Sequence, residues 1–172
     1  MGGPIRFGRL TAYDPSEWTD LFVASAGASA ALAGLVFVAV SINIDRILQF
    51  QGLPERSLAT VLLLLNVVLV SILGLIPGQS RTALGVELLA EGLAFTVVVV
   101  WLSIRSLPQR YERAWLVSRL SVGAIGTVPL IVGGATLLAA HGGGLYWTVG
   151  GIIGAIAGAV ANAWVLLVEI LR

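Results

Sequence analysis

The chain has 172 residues, 58% of them apolar and 11% charged, with a net charge of +1. Soluble domains run to about 45–50% apolar and about 25% charged residues, so this composition excludes a water-soluble core and a disordered chain alike. The absence of Cys excludes disulfides and thiolate zinc sites, and so small a net charge gives no basis for nucleic-acid binding.

A bilayer core about 30 Å thick is crossed by roughly 20 apolar helical residues. Five such stretches follow along the chain, at about 21–44, 57–76, 84–104, 115–140 and 145–171. They predict an all-α fold, a polytopic transmembrane helix bundle of five spans forming one domain over 1–172. The connections are short, the longest running from Arg105 to Ala114, so no extramembrane domain is expected among them.

The N-terminus has a second reading to be met first. Arg6 and Arg9 precede an apolar run, and Ala24-Ser25-Ala26 resembles a signal-peptide cleavage site. Only Leu21 to Val23 would form its apolar region, where about 7–15 residues are needed, so the first span is expected to be retained. Asp14-Pro15-Ser16-Glu17 reads as a capping carboxylate, a proline suited to the first helical position and an acid three residues on, which starts span one near Pro15. Its small and acidic residues Asp20, Ala24, Gly27, Ala31, Gly34, Val38, Ser41 and Asp45 repeat at alternating steps of four and three, one stripe with coiled-coil spacing. Ser25, Ser29, Leu32, Val36 and Asn43 form a neighbouring, partly polar stripe. Two such faces predict a central place for span one, or a place at an oligomer axis, with the stripe either gripping another helix or lining a narrow path.

Leu53-Pro54-Glu55 starts span two in the same manner, and Pro77-Gly78 stops it. Asn66 sits near its middle, where an amide in lipid needs an interhelical partner. Span three holds Glu87 and Glu91, one turn apart on one face. From Gly92 to Ile104 the helix measures about 20 Å, about 10 Å short of the hydrocarbon thickness. The missing length places Glu91 inside the hydrocarbon and Glu87 near its outer edge. An acid there costs about 2.5–3.5 kcal/mol, so Glu91 needs a partner, a water-filled cavity or a proton. It belongs either to an ion or proton pathway, or to a protonated pair with Asn66, Asn162 or a serine. Asp20 and the capping acids share the side of the membrane on which Glu87 lies, as an acidic mouth or simply as solvated helix starts.

Span four contains Pro129, which predicts a kink, and Arg119, which either snorkels to the interface or pairs with a buried acid. His141-Gly142-Gly143-Gly144 makes a tight link to span five. There Gly150, Gly154 and Gly158 recur every four residues, with Asn162 one turn on, a small-residue row for close helix packing within or between subunits. Gly151 and Ala155 beside it blur which face is used. Trp18, Trp101, Trp115 and Trp147 fall near span ends as interfacial aromatics do, while Trp164 is expected to pack inside.

Arg6, Arg9 and Arg81 fall on one side of a five-span chain, against Arg46, Arg56, Arg105, Arg110, Arg113, Arg119 and Arg172 on the other. That imbalance predicts an outer N-terminus and a cytoplasmic C-terminus. Arg105, Arg110 and Arg113, with Tyr111, are placed to hold anionic lipid headgroups or to fix orientation. Enzyme chemistry is not expected, because the chain has no lysine, no Ser/His pair within a span and no metal-ligand cluster, and no cofactor is implied. A lipid-acting enzyme is the most distant alternative.

The run from Trp18 to Asn43, WTDLFVASAGASAALAGLVFVAVSIN, resembles small multi-pass membrane proteins of unassigned role from high-GC, actinobacterial-type bacteria. The resemblance covers span one and the loop after it, and implies a bacterial plasma-membrane location without any catalytic or binding residue. Two functions follow as expectations. In one, an oligomer forms a path for protons or small cations along Glu91, Glu87, Asp20, Ser41 and Asp45. In the other, a non-conducting accessory or regulatory subunit packs its small-residue faces, Gly27 and Gly34 among them, against another membrane protein.

Overall fold

The computed structural model describes residues 11–50, 52–105 and 113–171, the last stretch with side chains at 121 and from 123 to 168. The expectations on Arg6, Arg9, Arg110, Tyr111 and Arg172, and on the side chains of Arg113, Trp115 and Arg119, lie outside these. Among the described residues the chain is all helical: a 3-10 turn Pro15–Trp18, then α1 Thr19–Ile42, α2 Ile44–Ile47, α3 Leu53–Gly74, α4 Arg81–Arg105, α5 Arg113–Ala139 and α6 Tyr146–Leu171. Among the described residues four helices are long and apolar enough to cross a membrane, Pro15–Ile42, Leu53–Gly74, Arg81–Arg105 and Tyr146–Val168. The described apolar stretch of α5, Gly123–Ala139, is shorter. The protein is therefore a multi-pass membrane protein.

Local chemistry sets the ends. Asp14 Oδ1 accepts from Ser16 N at 3.1 Å and from Ser16 Oγ at 2.7 Å, which starts the chain into its first turn. Gly52 adopts φ 86°, a left-handed conformation that glycine tolerates, and Pro54 follows in the first turn of α3. That helix stops at Gly74, ahead of Pro77, where the ladder tightens to three-residue bonds, Leu75 N to Ile72 O and Ile76 N to Leu73 O. α5 continues through Pro129 as one helix.

Helices α3, α4, α5 and α6 close into a four-helix ring, each antiparallel to the next in sequence, with α3 meeting α6 to complete it. Glycines set how closely they approach. A Cβ placed on Gly85 would stand 3.2 Å from the Gly134 carbonyl oxygen, one on Gly92 2.8 Å from Ile131, and one on Gly151 3.2 Å from the Gly126 oxygen. In lipid, where burial gives little gain between helices, such backbone contact is what holds neighbours together. The buried row of α6 is Gly151, Ala155 and Ala159. Of the row expected from the sequence, Gly154 packs against Ile125, Gly158 is half-buried and Gly150 is exposed.

Helix α1 stands outside this ring. It packs along α3 alone for most of its length, with Phe22 lying over Gly74 where a side chain would collide with the ring. Its inward face is the stripe of Phe22, Ser25 and Ser29, joined by the half-buried Leu32, Val36 and Asn43. All eight residues of the other stripe, from Asp20 to Asp45, are exposed, and no atom lies within 4 Å of where a Cβ on Gly27 or Gly34 would sit. The central place expected for this helix is taken by α3, which touches α1, α4 and α6 and is the most buried of the four candidate spans.

The turn between α5 and α6 is clasped by the N-terminal segment. Leu145 N donates to Ala12 O at 2.8 Å, Gly143 N to Tyr13 Oη at 3.2 Å, and Trp18 Nε1 to Thr11 O at 2.7 Å. Trp18 also meets Tyr146 edge to face, its ring centroid 4.9 Å away. It is thus buried in the core cluster with Phe22, Leu84, Leu88 and Leu137, where the sequence pointed to the lipid interface. Trp164 departs in the other direction: it is 66% exposed, since its side of α6 faces away from α3 and α5. Trp101 is exposed near the end of α4, with the Arg105 guanidinium 4.4 Å above its ring.

Candidate functional site

Among the described residues, the acids of α4 are a feature that apolar packing does not account for. Glu91 lies about 15 Å along the helix from Arg81, and Asn66 about 12 Å along α3 from Gly74, so the antiparallel pair brings both to the same depth. There the two side chains meet. With its nitrogen toward the acid, the Asn66 amide donates to Glu91 Oε2 at 2.8 Å and also to Oε1. Asn66 is fully buried and Glu91 half-buried. An amide and an acid each left alone at this depth would be costly, and each answers the other.

Glu87, one turn nearer the start of α4, accepts a hydrogen bond from Gln79 Nε2 in the α3–α4 connection. Gln79 Oε1 is buried without a partner. Gln79 also lines a cleft of about 210 Å³ with Asp14, Ser16, Thr19 and Pro77. The capping acid, Gln79 and Glu87 therefore lie at one end of the molecule, while Glu17 and Asp20 stay exposed beside them.

The remaining expected pathway residues are elsewhere. Ser41 Oγ donates to the Phe37 carbonyl of its own helix at 2.8 Å, and Asp45 is exposed in α2. Helix α3 stands between these residues and Glu91, so the expected path divides into an α3–α4 part and an outward α1 part. Asn162, half-buried in α6, does not share the Glu91 site. Among the described residues no three His, Asp or Glu side chains converge as a metal site would require.

The amide partner was within reach of the sequence, which names Asn66 beside Asn162 and the serines. Depth counting from both ends would have favoured it, because α3 and α4 are joined by a short turn and must run antiparallel. Gln79 carried no such signal: a glutamine in a polar turn looks like any solvated loop residue. No known protein family, curated protein or solved structure matches the chain.

Proposed function

We propose that this is a five-span membrane protein carrying a proton path, with Glu91 as its buried proton site and Glu87 as the group nearer the outer surface. The observation that supports this reading is the Glu91–Asn66 pair, an ionisable side chain inside an apolar helix whose hydrogen-bond partner is a neutral amide. Protons suit the pair better than metal-like cations. Amide and carboxyl are in direct hydrogen-bond contact, leaving no space for an ion that would need oxygen ligands on several sides. The test is proton flux into liposomes reconstituted with wild type and Glu91→Gln.

The fifth span in this reading is α5. It lies antiparallel against α4 from Gly85 opposite Leu138 to Val99 opposite Gly123, about 21 Å of shared length and most of a hydrocarbon core. Five spans with three arginines on one side and seven on the other give an outer N-terminus and a cytoplasmic C-terminus in a bacterial plasma membrane. A reporter fused after Arg172 is expected to be active only in the cytoplasm. Activity only outside reverses the orientation.

A second reading, a non-conducting accessory subunit, is favoured by the free face of α1. The described glycines inside α3 to α5 sit under a neighbouring side chain or backbone, whereas Gly27 and Gly34 touch nothing. In the oligomeric form of the first reading, that face meets its own copy. A Gly34→Cys variant, oxidised in membranes, is then expected to form a disulfide-linked dimer. A complex with another protein, and no such dimer, favours the accessory subunit.

A further inference from the structure

The Glu91–Asn66 contact has a property that a salt bridge lacks. An ionised carboxylate accepts and cannot donate, so it needs the amide nitrogen. A protonated carboxyl has an O–H to give, and the Asn66 Oδ1 atom can take it. Turning the amide half a revolution about its last bond exchanges nitrogen and oxygen at the same place with almost no change of shape. Both Glu91 oxygens lie within reach of that one end of Asn66, and the buried position of Asn66 removes water as a substitute partner. A lysine or arginine there would hold only the ionised form, and a leucine neither.

We propose that Asn66 turns its amide over as Glu91 gains or loses a proton, so that the acid keeps a hydrogen bond in both charge states and exchanges protons inside the membrane. Protonation takes H⁺ from a hydronium ion and leaves water, and the reverse step returns it. This rests on the reading of Glu91 as a proton site, and makes Asn66 its positioning residue. The surroundings leave the pair to itself. From Ser57 to Gly74 of α3 and from Gly123 to Ala139 of α5 no side chain is titratable, and on α4 the nearest is Glu87, tied to Gln79. A group that would otherwise be stranded in one of its two states has instead one partner for both.

The test is infrared difference spectroscopy of the reconstituted protein across a pH step, with asparagine side chains isotope-labelled. Wild type is expected to show a carboxyl band of Glu91 and an Asn66 amide band moving together, both lost in Glu91→Gln. In Asn66→Leu the carboxyl band is expected at the position of a free acid, and in Asn66→Gln near its original place. A Glu91 band without an amide band, or no Glu91 band at any pH at which the protein stays folded, overturns the proposal. The wild-type spectrum decides this even if a variant at Asn66 fails to fold. Moving bands without proton flux would remove the transport reading and leave the pair. Flux that depends on Glu91 with a still amide would do the opposite.

Discussion

Liposomes holding Glu91→Gln are expected to take up protons at roughly a hundredth of the wild-type rate or less, the scale on which losing a proton-transferring group tells. The argument is chemical before it is structural. Glutamine has nearly the shape of glutamate, so the helix contacts of α4 should stand, and its amide still hydrogen-bonds Asn66. What it cannot do is hold an exchangeable acidic proton between the two faces of the membrane. Glu87→Gln is expected to lower the rate less, because Glu87 lies nearer the surface, where water can replace a relay. Equal flux in wild type and Glu91→Gln, with both proteins folded, would end the proton-path reading and leave the accessory subunit.

Replacing Gly134 by alanine is expected to destabilise the bundle by about 1–3 kcal/mol, the usual cost of overfilling a close contact. The new Cβ would stand 2.7 Å from the Gly85 carbonyl oxygen and 2.9 Å from Leu89 N. Both are backbone atoms of α4, and neither can swing aside as a side-chain tip does. Helices α4 and α5 would have to separate and so loosen the ring on the side next to Glu91. The matched substitutions Gly27→Ala and Gly34→Ala lie on the open face of α1, where alanine gains helix propensity of up to about 1 kcal/mol and meets no described atom of its own chain. Unfolding in mixed micelles should therefore rank Gly134→Ala well below wild type and the α1 variants at or above it. If all three behave alike, the close approach of α4 and α5 is wrong.

Span one shows where reading the residues alone stops. Its two stripes are plain in the sequence, each with helical spacing and each with enough small or polar residues to suggest a contact. Spacing does not say which of them is used. The structure turns Ser25 and Ser29 inward and leaves Gly27 and Gly34 outside, and the deciding contact is Phe22 over Gly74, a fit between two helices that neither helix announces. The glycine row of α6 is a parallel case. A helix carrying Gly150, Gly151, Gly154 and Gly158 offers two overlapping small faces, and Leu130 and Gly126, which meet Gly151 and Ala155, select the one that is buried.

The helices themselves were legible from residue order, down to their capping Asp14, the start at Leu53-Pro54-Glu55 and the break at Pro77. Backbone groups in lipid must be satisfied within the segment, which ties every span to a local, countable run of apolar residues. The presence of an acid at depth was legible for the same reason, since Glu91 interrupts such a run. Its partner was legible only in part: depth favours Asn66 over Asn162, but the contact itself required knowing which faces of α3 and α4 meet, and in a membrane hydropathy does not rank faces, because lipid is as apolar as the neighbouring helix. That choice fell to interlocking shape, and so did the exclusion of α1 from the four-helix ring.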